Sequence, residues 1–466
     1  MRQVHAFVMA NLGRGIFSNL SRRFGFAVGA TLAGLILSAG PAEAVPAFAA
    51  QTDKPCQACH VGGFGPQLTP YGRDFKLHGY TERSGPINVP LAAMAIASYI
   101  RTQKDQPSPP APHFSTNDNV ALDQVSVFLA GGLGSHFGGF VQTTYDGVAR
   151  AFTWDNIDLR AVTVTHVKDK EVVLGLSLNN SPTVEDAWNT LPAWGFPFTS
   201  SALAPSPSAS PLFLGALAQN TVGLTAYAWI DSTFYAEAGG YWSPGESTIT
   251  RLGADPLSPG GIDGAAPYGR LAYQTKIGGG TVEVGAFGMR TGIHPGRDRT
   301  TGLTDLYTDY GVDGSYRNSL DNGDVIAVDA RYLHERQALN ATCALAGSPG
   351  GACADTRLED ARLNASYYWR AKIGATVGLF DTWGPANPFI YPGSRTFSPD
   401  SSGVILQLDG TPWGDGKGPL GKRFNMRVGV QYTIYNRFNG AGRNFDGAGA
   451  NASDNNTLRL FTWIAY

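Results

Sequence analysis

From about residue 91 to its end the chain repeats one pattern, an alternation of apolar and polar side chains with a period of two. That is the period of a β-strand, whose successive side chains point to opposite faces. Phe424, Met426, Val428, Val430, Tyr432 and Ile434 fall on one face of such a segment, and Asn425, Arg427, Gly429, Gln431 and Thr433 on the other. The same split sets Leu363, Ala365, Tyr367 and Trp369 against Arg362, Asn364 and Ser366. It also sets Ile326, Val328, Ala330 and Tyr332 against Asp329 and Arg331. Lone charges on an inner face predict a wet lumen rather than an apolar soluble core.

About sixteen such segments follow one another, starting near residues 91, 122, 136, 156, 171, 220, 233, 267, 280, 306, 323, 358, 371, 403, 423 and 456. Lys168-Asp169-Lys170, Gly278-Gly279-Gly280 and Arg370-Ala371-Lys372 are short turns. Between them lie long loops rich in Pro, Gly, Ser and Asn, near 103–120, 180–218, 243–266, 335–357, 382–402 and 436–455. Short turns on one side and long loops on the other, with an even strand number, predict an all-β fold: an antiparallel outer-membrane β-barrel of about 16 strands. The connection near 409–422 is long for the turn side. The chain closes on Leu458-Arg459-Leu460-Phe461-Thr462-Trp463-Ile464-Ala465-Tyr466, an alternating strand ending in an aromatic residue, as outer-membrane barrels do. Composition agrees. Charged residues are only 15%, Gly numbers 59, and mean hydropathy is −0.13, as when lipid-facing and lumen-facing residues average out. A net charge of −2 gives no reason to expect a nucleic-acid partner.

Residues 1–44 read as a signal peptide. Arg14, Arg22 and Arg23 form a basic start, Phe24 to Ala39 is uncharged and apolar, and Ala42-Glu43-Ala44 is a small-residue cleavage site. The apolar run is short for a membrane anchor, and no later stretch approaches the roughly 18 apolar residues of a spanning helix. Cleavage after Ala44 removes four arginines and one glutamate and takes the net charge to about −5. The expected location is the outer membrane of a Gram-negative bacterium, among its lipids.

Export places the four cysteines in an oxidising compartment. Cys56-Gln57-Ala58-Cys59-His60 is a C-x-x-C-H pattern, the signature of covalent c-type haem attachment. Two thiols separated by two residues match the spacing of the two haem vinyl groups, and His60 supplies the proximal iron ligand. A thioredoxin-like pair would need a βαβ setting, and a zinc site a nearby second ligand pair; neither surrounds the motif. It occurs once, so one haem c is expected. For the sixth ligand, Met94 opens the first barrel strand and would point inward, whereas His78 sits at a turn before Gly79. Cys343 and Cys353 flank a Gly- and Pro-containing loop, which reads as a disulfide stabilising it by roughly 2–3 kcal/mol.

Three regions follow: the signal peptide at 1–44, a monohaem cytochrome c segment at 45–90, and a porin-like barrel at 91–466. The middle segment is too small to bury a haem alone and offers no obvious terminal helix to close over it; below about 70 residues one core rarely suffices. A sixteen-stranded barrel leaves a channel, so the haem segment is expected inside the lumen or at its mouth.

Val45-Pro46-Ala47-Phe48-Ala49, then Pro55 to His60, then Leu68-Thr69-Pro70-Tyr71-Gly72-Arg73-Asp74-Phe75-Lys76-Leu77-His78-Gly79-Tyr80 resemble the fused monohaem cytochrome–porins of iron-oxidising bacteria. The close resemblance covers about 45–80; beyond that it is architectural. It implies haem attachment at Cys56 and Cys59 and ligation by His60. Within the matching Gly72-Arg73-x-Phe75-Lys76 stretch, Arg73 or Lys76 would pair with a haem propionate or else belong to a solvated basic turn. It further implies electron transfer from an extracellular donor, ferrous iron being the first candidate, to a periplasmic cytochrome or cupredoxin, an oxidoreductase of ferrous-iron oxidase type. Asp298, Asp305 and Asp309 are loop acids that would attract the cation. Two other readings stand beside it: a diffusion porin with a haem-bearing plug, and a conduit delivering electrons outward to an extracellular acceptor. Oligomers are compatible with a barrel of this size.

Overall fold

A computed structural model describes residues 47–85, 91–191, 196–347, 353 and 355–466. The expected signal peptide at 1–44, and residues 45–46 and 86–90 of the segment read from sequence as a cytochrome, lie outside the described residues. The strands are β1 (Leu91–Thr102), β2 (Asn119–Leu133), β3 (Phe137–Asp146), β4 (Ala151–Val167), β5 (Lys170–Asn179) and β6 (Val222–Ile230). They continue as β7 (Phe234–Trp242), β8 (Gly260–Ile262), β9 (Ala266–Ile277), β10 (Gly280–Pro295), β11 (Asp305–Ser319) and β12 (Val325–Leu339). The last are β13 (Asp355–Trp369), β14 (Ile373–Trp383), β15 (Ser401–Gly410), β16 (Asn425–Arg437) and β17 (Thr457–Ala465). Apart from β8, each pairs antiparallel with the next, and β1 closes on β17 from Met94 opposite Ala465 to Thr102 opposite Thr457. The result is a sixteen-stranded barrel. Three-residue β8, within the loop at 243–265, pairs only with the end of β10.

Closure leaves no unpaired sheet edge, which is the condition for backbone to cross a hydrocarbon layer as strands. Among the described residues no helix is long and apolar enough to cross. The outer face is apolar: Leu363, Tyr367 and Trp369 on β13, and Ile373, Val377 and Leu379 on β14, are exposed. Their alternation partners turn inward. An apolar exterior, a polar interior, short turns at the end where β1 begins and β17 stops, and longer loops at the other make this a porin-like outer-membrane barrel.

The lumen departs from expectation. It is filled rather than wet: Asp329 and Arg331, and with them Asp158, Arg270 and Glu335, are buried. Two inserts cover them. One is the N-terminal segment 47–85, with helices α1 (Ala47–Thr52), α2 (Cys56–Cys59) and α3 (Pro70–Leu77). The other is the connection between β5 and β6, read from sequence as one of the long loops. It folds inward, burying Trp188, Leu191, Phe213 and Leu217. Trp188 Nε1 donates to Gln274 on β9 at 3.1 Å, and Arg331 on β12 donates to the Thr190 carbonyl at 3.2 Å. Several of these buried charges are paired, as Arg270 is with Asp313 at 2.7 Å and Arg427 with Asp409 at 2.7 Å. Of the three loop acids, only Asp298 lies in a loop, where it is half-buried. Asp305 and Asp309 belong to β11, face the lumen and are buried.

Cys343, within the short helix α4 (Asn340–Leu345), is joined to Cys353 with Cα atoms 5.9 Å apart.

Candidate functional site

The C-x-x-C-H motif begins on α2, a single helical turn opened by Pro55. The His60 backbone N–H donates to the Cys56 carbonyl and ends the turn. Cys56 and Cys59 are both free thiols. Burial pushes the Cys56 thiol up and the Cys59 thiol up to about 12, so neither ionises readily.

Helix α3 packs directly on this turn. Its start is written in the sequence: Thr69 caps it, accepting from Gly72 N–H at 3.1 Å, and Pro70 occupies the first turn. That signal was passed over in the expectation of no closing helix. Gly72 makes the packing feasible, since a Cβ there would lie 2.3 Å from the Cys59 carbonyl oxygen. Gly79, at φ +67°, turns the chain back after the helix.

The barrel wall grips the segment from several sides. Tyr227 Oη on β6 donates to the Leu77 carbonyl at 2.7 Å, and Gln67 Nε2 donates to Asp329 on β12 at 2.6 Å. On β16, Arg427 donates to the Phe64 carbonyl at 2.9 Å and Asn425 to the Gly63 carbonyl at 2.8 Å. Tyr80 Oη donates to Asp158 on β4 at 2.8 Å. The long turn-side connection at 411–424 has its explanation here: the Gly414 carbonyl accepts from Gln57 N–H at 3.0 Å, and Lys422 pairs with Asp53 at 2.7 Å.

Between segment and wall is a largely apolar cavity of about 260 Å³. Cys56, Cys59 and His60 line it, with Phe64 and Phe75 from the segment, Met94 from β1, Phe128 from β2, Phe140 from β3 and Trp463 from β17. His60 Nδ1 is sealed from solvent without a hydrogen-bond partner, and burial pushes the imidazole pKa down to about 4. The ring is therefore neutral, the form that ligates a metal. Two free thiols on one turn, an adjacent neutral imidazole with an orphaned nitrogen, and an apolar cavity beside them fit a covalently bound haem.

The other candidate residues divide. Met94 lines the cavity; His78 does not, its ring instead meeting the Asp74 carbonyl at 2.9 Å and Glu171 of β5 at 3.2 Å. Lys76 lines it too, though its ammonium donates to the Val184 carbonyl and stands 3.6 Å from Asp158. Arg73 is outside the lining, buried, with one donor on Gln274 at 3.2 Å. Both basic residues lie on a buried helix rather than a solvated turn. Trp463 was missed from the sequence, where it reads as one more residue of the closing strand. Its place in the alternation, opposite in phase to lipid-facing Leu460 and Ile464, was the available signal.

No protein-family model and no curated protein sequence matches the chain. Solved structures similar to it include OmpT, an outer membrane protein of Vibrio cholerae, at 10% identity over 81% of this chain and 96% of that one, with a TM-score of 0.40. An anion-selective porin from Comamonas acidovorans is similar at 12% identity over 81% and 98%, TM-score 0.40. The outer membrane channel DcaP of Acinetobacter baumannii is similar at 9% over 81% and 96%, TM-score 0.41. At these scores the fold assignment rests on the strand ladder itself.

Proposed function

We propose that this porin-like barrel is an outer-membrane electron-transfer protein. It carries one c-type haem in the turn-side part of its lumen and passes electrons from an extracellular donor, ferrous iron first, to a periplasmic cytochrome or cupredoxin. The observation that carries the reading is the meeting of Cys56, Cys59, His60 and Met94 around one apolar cavity inside the barrel. A haem bound there supplies one-electron chemistry. The chain's own part is to attach through the two thiols, offer a neutral imidazole from His60 and a thioether from Met94, and keep water away with Phe64, Phe75, Phe128 and Phe140. The wall insulates this centre from lipid. Of the two basic residues only Lys76 lines the cavity, which makes it the candidate partner of a propionate, in exchange for its present contacts with Val184 and Asp158.

The test uses purified, haem-loaded protein in detergent, oxidised and then mixed with Fe(II) while the haem absorption bands are followed. Rapid reduction that is lost in His60→Ala supports ferrous-iron oxidation. Reduction by dithionite but not by Fe(II) removes iron as the donor. A strongly positive potential favours inward transfer, and a low one favours delivery to an extracellular acceptor.

The barrel architecture supports a second reading, a diffusion pore in which the haem segment is a plug. Single-channel conductance in a planar bilayer separates the two. A steady open conductance with solute flux favours the pore. A closed channel accords with a lumen in which Asp158 and Arg270 are buried.

A further inference from the structure

We infer that Trp463 is a positioning residue that holds the Met94 thioether toward the iron, so that the ligand set is completed across the seam where the last strand closes on the first. This rests on the haem reading above and deepens it.

Met94 and Trp463 sit on opposite sides of the seam. Met94 is paired with Ala465 and Ile96 with Trp463, so the indole lies next to the methionine on the lumen face. Trp463 Nε1–H donates to Met94 Sδ at 3.3 Å. The indole is buried, and its ring centroid lies 4.7 Å from that of Phe64, four residues after His60. Both residues line the cavity that holds Cys56, Cys59 and His60.

The chemistry favours a positioning role. Indole N–H is a donor only, and buried tryptophans normally find an acceptor. Here the acceptor is a thioether, a weak one, although carbonyls and carboxylates abound in this lumen. Methionine has three rotatable bonds and fills irregular space readily. Unrestrained on the first strand, its sulfur would sample several positions. A thioether has two lone pairs; the indole engages one and leaves the other for a metal. Phe64 fixes the ring plane from the haem segment, so the segment, the first strand and the last strand are locked together by three side chains.

The test is spectroscopic and uses full-length, haem-loaded protein. Trp463→Phe keeps the ring against Phe64 and removes only the N–H. Heat-modifiable gel mobility confirms that the barrel is folded. Loss of one net hydrogen bond predicts that about fivefold less imidazole displaces the methionine, read as disappearance of the far-red iron–thioether absorption. An altered midpoint potential should accompany it. Met94→Leu is the second variant. If the far-red band is abolished in Met94→Leu while Trp463→Phe has wild-type imidazole titration and potential, the positioning role is overturned and the Met94 ligand stands. If the band is absent from wild type, or persists in Met94→Leu, the ligand assignment fails and this inference fails with it. If no haem is attached at all, the functional reading itself falls.

Discussion

Arg362 and Leu363 are neighbours on β13, yet one faces the plugged lumen and the other the outer surface. The wall to which they belong stands on a continuous ladder in which every barrel strand has partners on both sides. The plug has nothing comparable. Its longest helix, α3, has eight residues, too few for stability alone. It is held by side chains reaching in from β4, β6, β9, β12 and β16. The wall needs the plug only to cover its inward charges, whereas the plug needs the wall for its shape. Damage should therefore travel from wall to plug more readily than the reverse.

The largest effect is expected at Asp158, which accepts from Tyr80 and Ser177 and pairs with Arg160 at 3.0 Å and Lys76 at 3.6 Å. Asp158→Ala leaves two buried cations without their carboxylate, costing about 3–5 kcal/mol. Proteolysis should then cut within 47–85 while gel mobility still reports a closed barrel; a wall that opens together with the plug would refute the asymmetry.

Leu363→Arg strikes the lipid face alone and should cost about 2–4 kcal/mol if the residue lies at mid-bilayer. A urea titration in lipid vesicles measures it, and the haem spectrum of the folded fraction should not change. The bridge between Cys343 and Cys353 closes a short loop far from the cavity, ten residues apart in sequence. Cys343→Ser with Cys353→Ser should lower stability by about 2–3 kcal/mol at most, because only unfolded-chain entropy is at stake. Unfolding with and without reductant should show that shift in wild type and none in the double variant. The smallest effect is expected at Gly72. Gly72→Ala forces a methyl against the Cys59 carbonyl, an overpacking of about 1–3 kcal/mol. It should lower the temperature at which the haem absorption changes while leaving the unfolding of the barrel alone.

Much of the wall was legible from the chain. The strand starts read near 91, 280 and 456 correspond to β1, β10 and β17, because a half-buried strand writes its two environments at every second residue. The fill of the lumen was not. Trp188, Phe213 and Leu217 signal an apolar insert, but a loop carries no periodicity to say which way it turns. The single 3.6-period stretch in the plug, at α3, was overlooked despite Thr69 and Pro70.

The candidate site divides along the same line. Cys56, Cys59 and His60 are contiguous, so their spacing alone states a chemistry. The choice between Met94 and His78 is a matter of which residue the fold brings to the cavity, and only the structure sets Met94 there and turns His78 to Glu171. Alternation, turn lengths and the C-x-x-C-H motif determine a barrel and a candidate haem attachment because each is a local property of the backbone or of adjacent side chains. The plugged lumen, the buried charge pairs and the meeting of Met94 with Trp463 were decided by tertiary structure. They join residues distant in sequence, and the meeting of Met94 with Trp463, 369 positions apart, exists only once the first and last strands have paired.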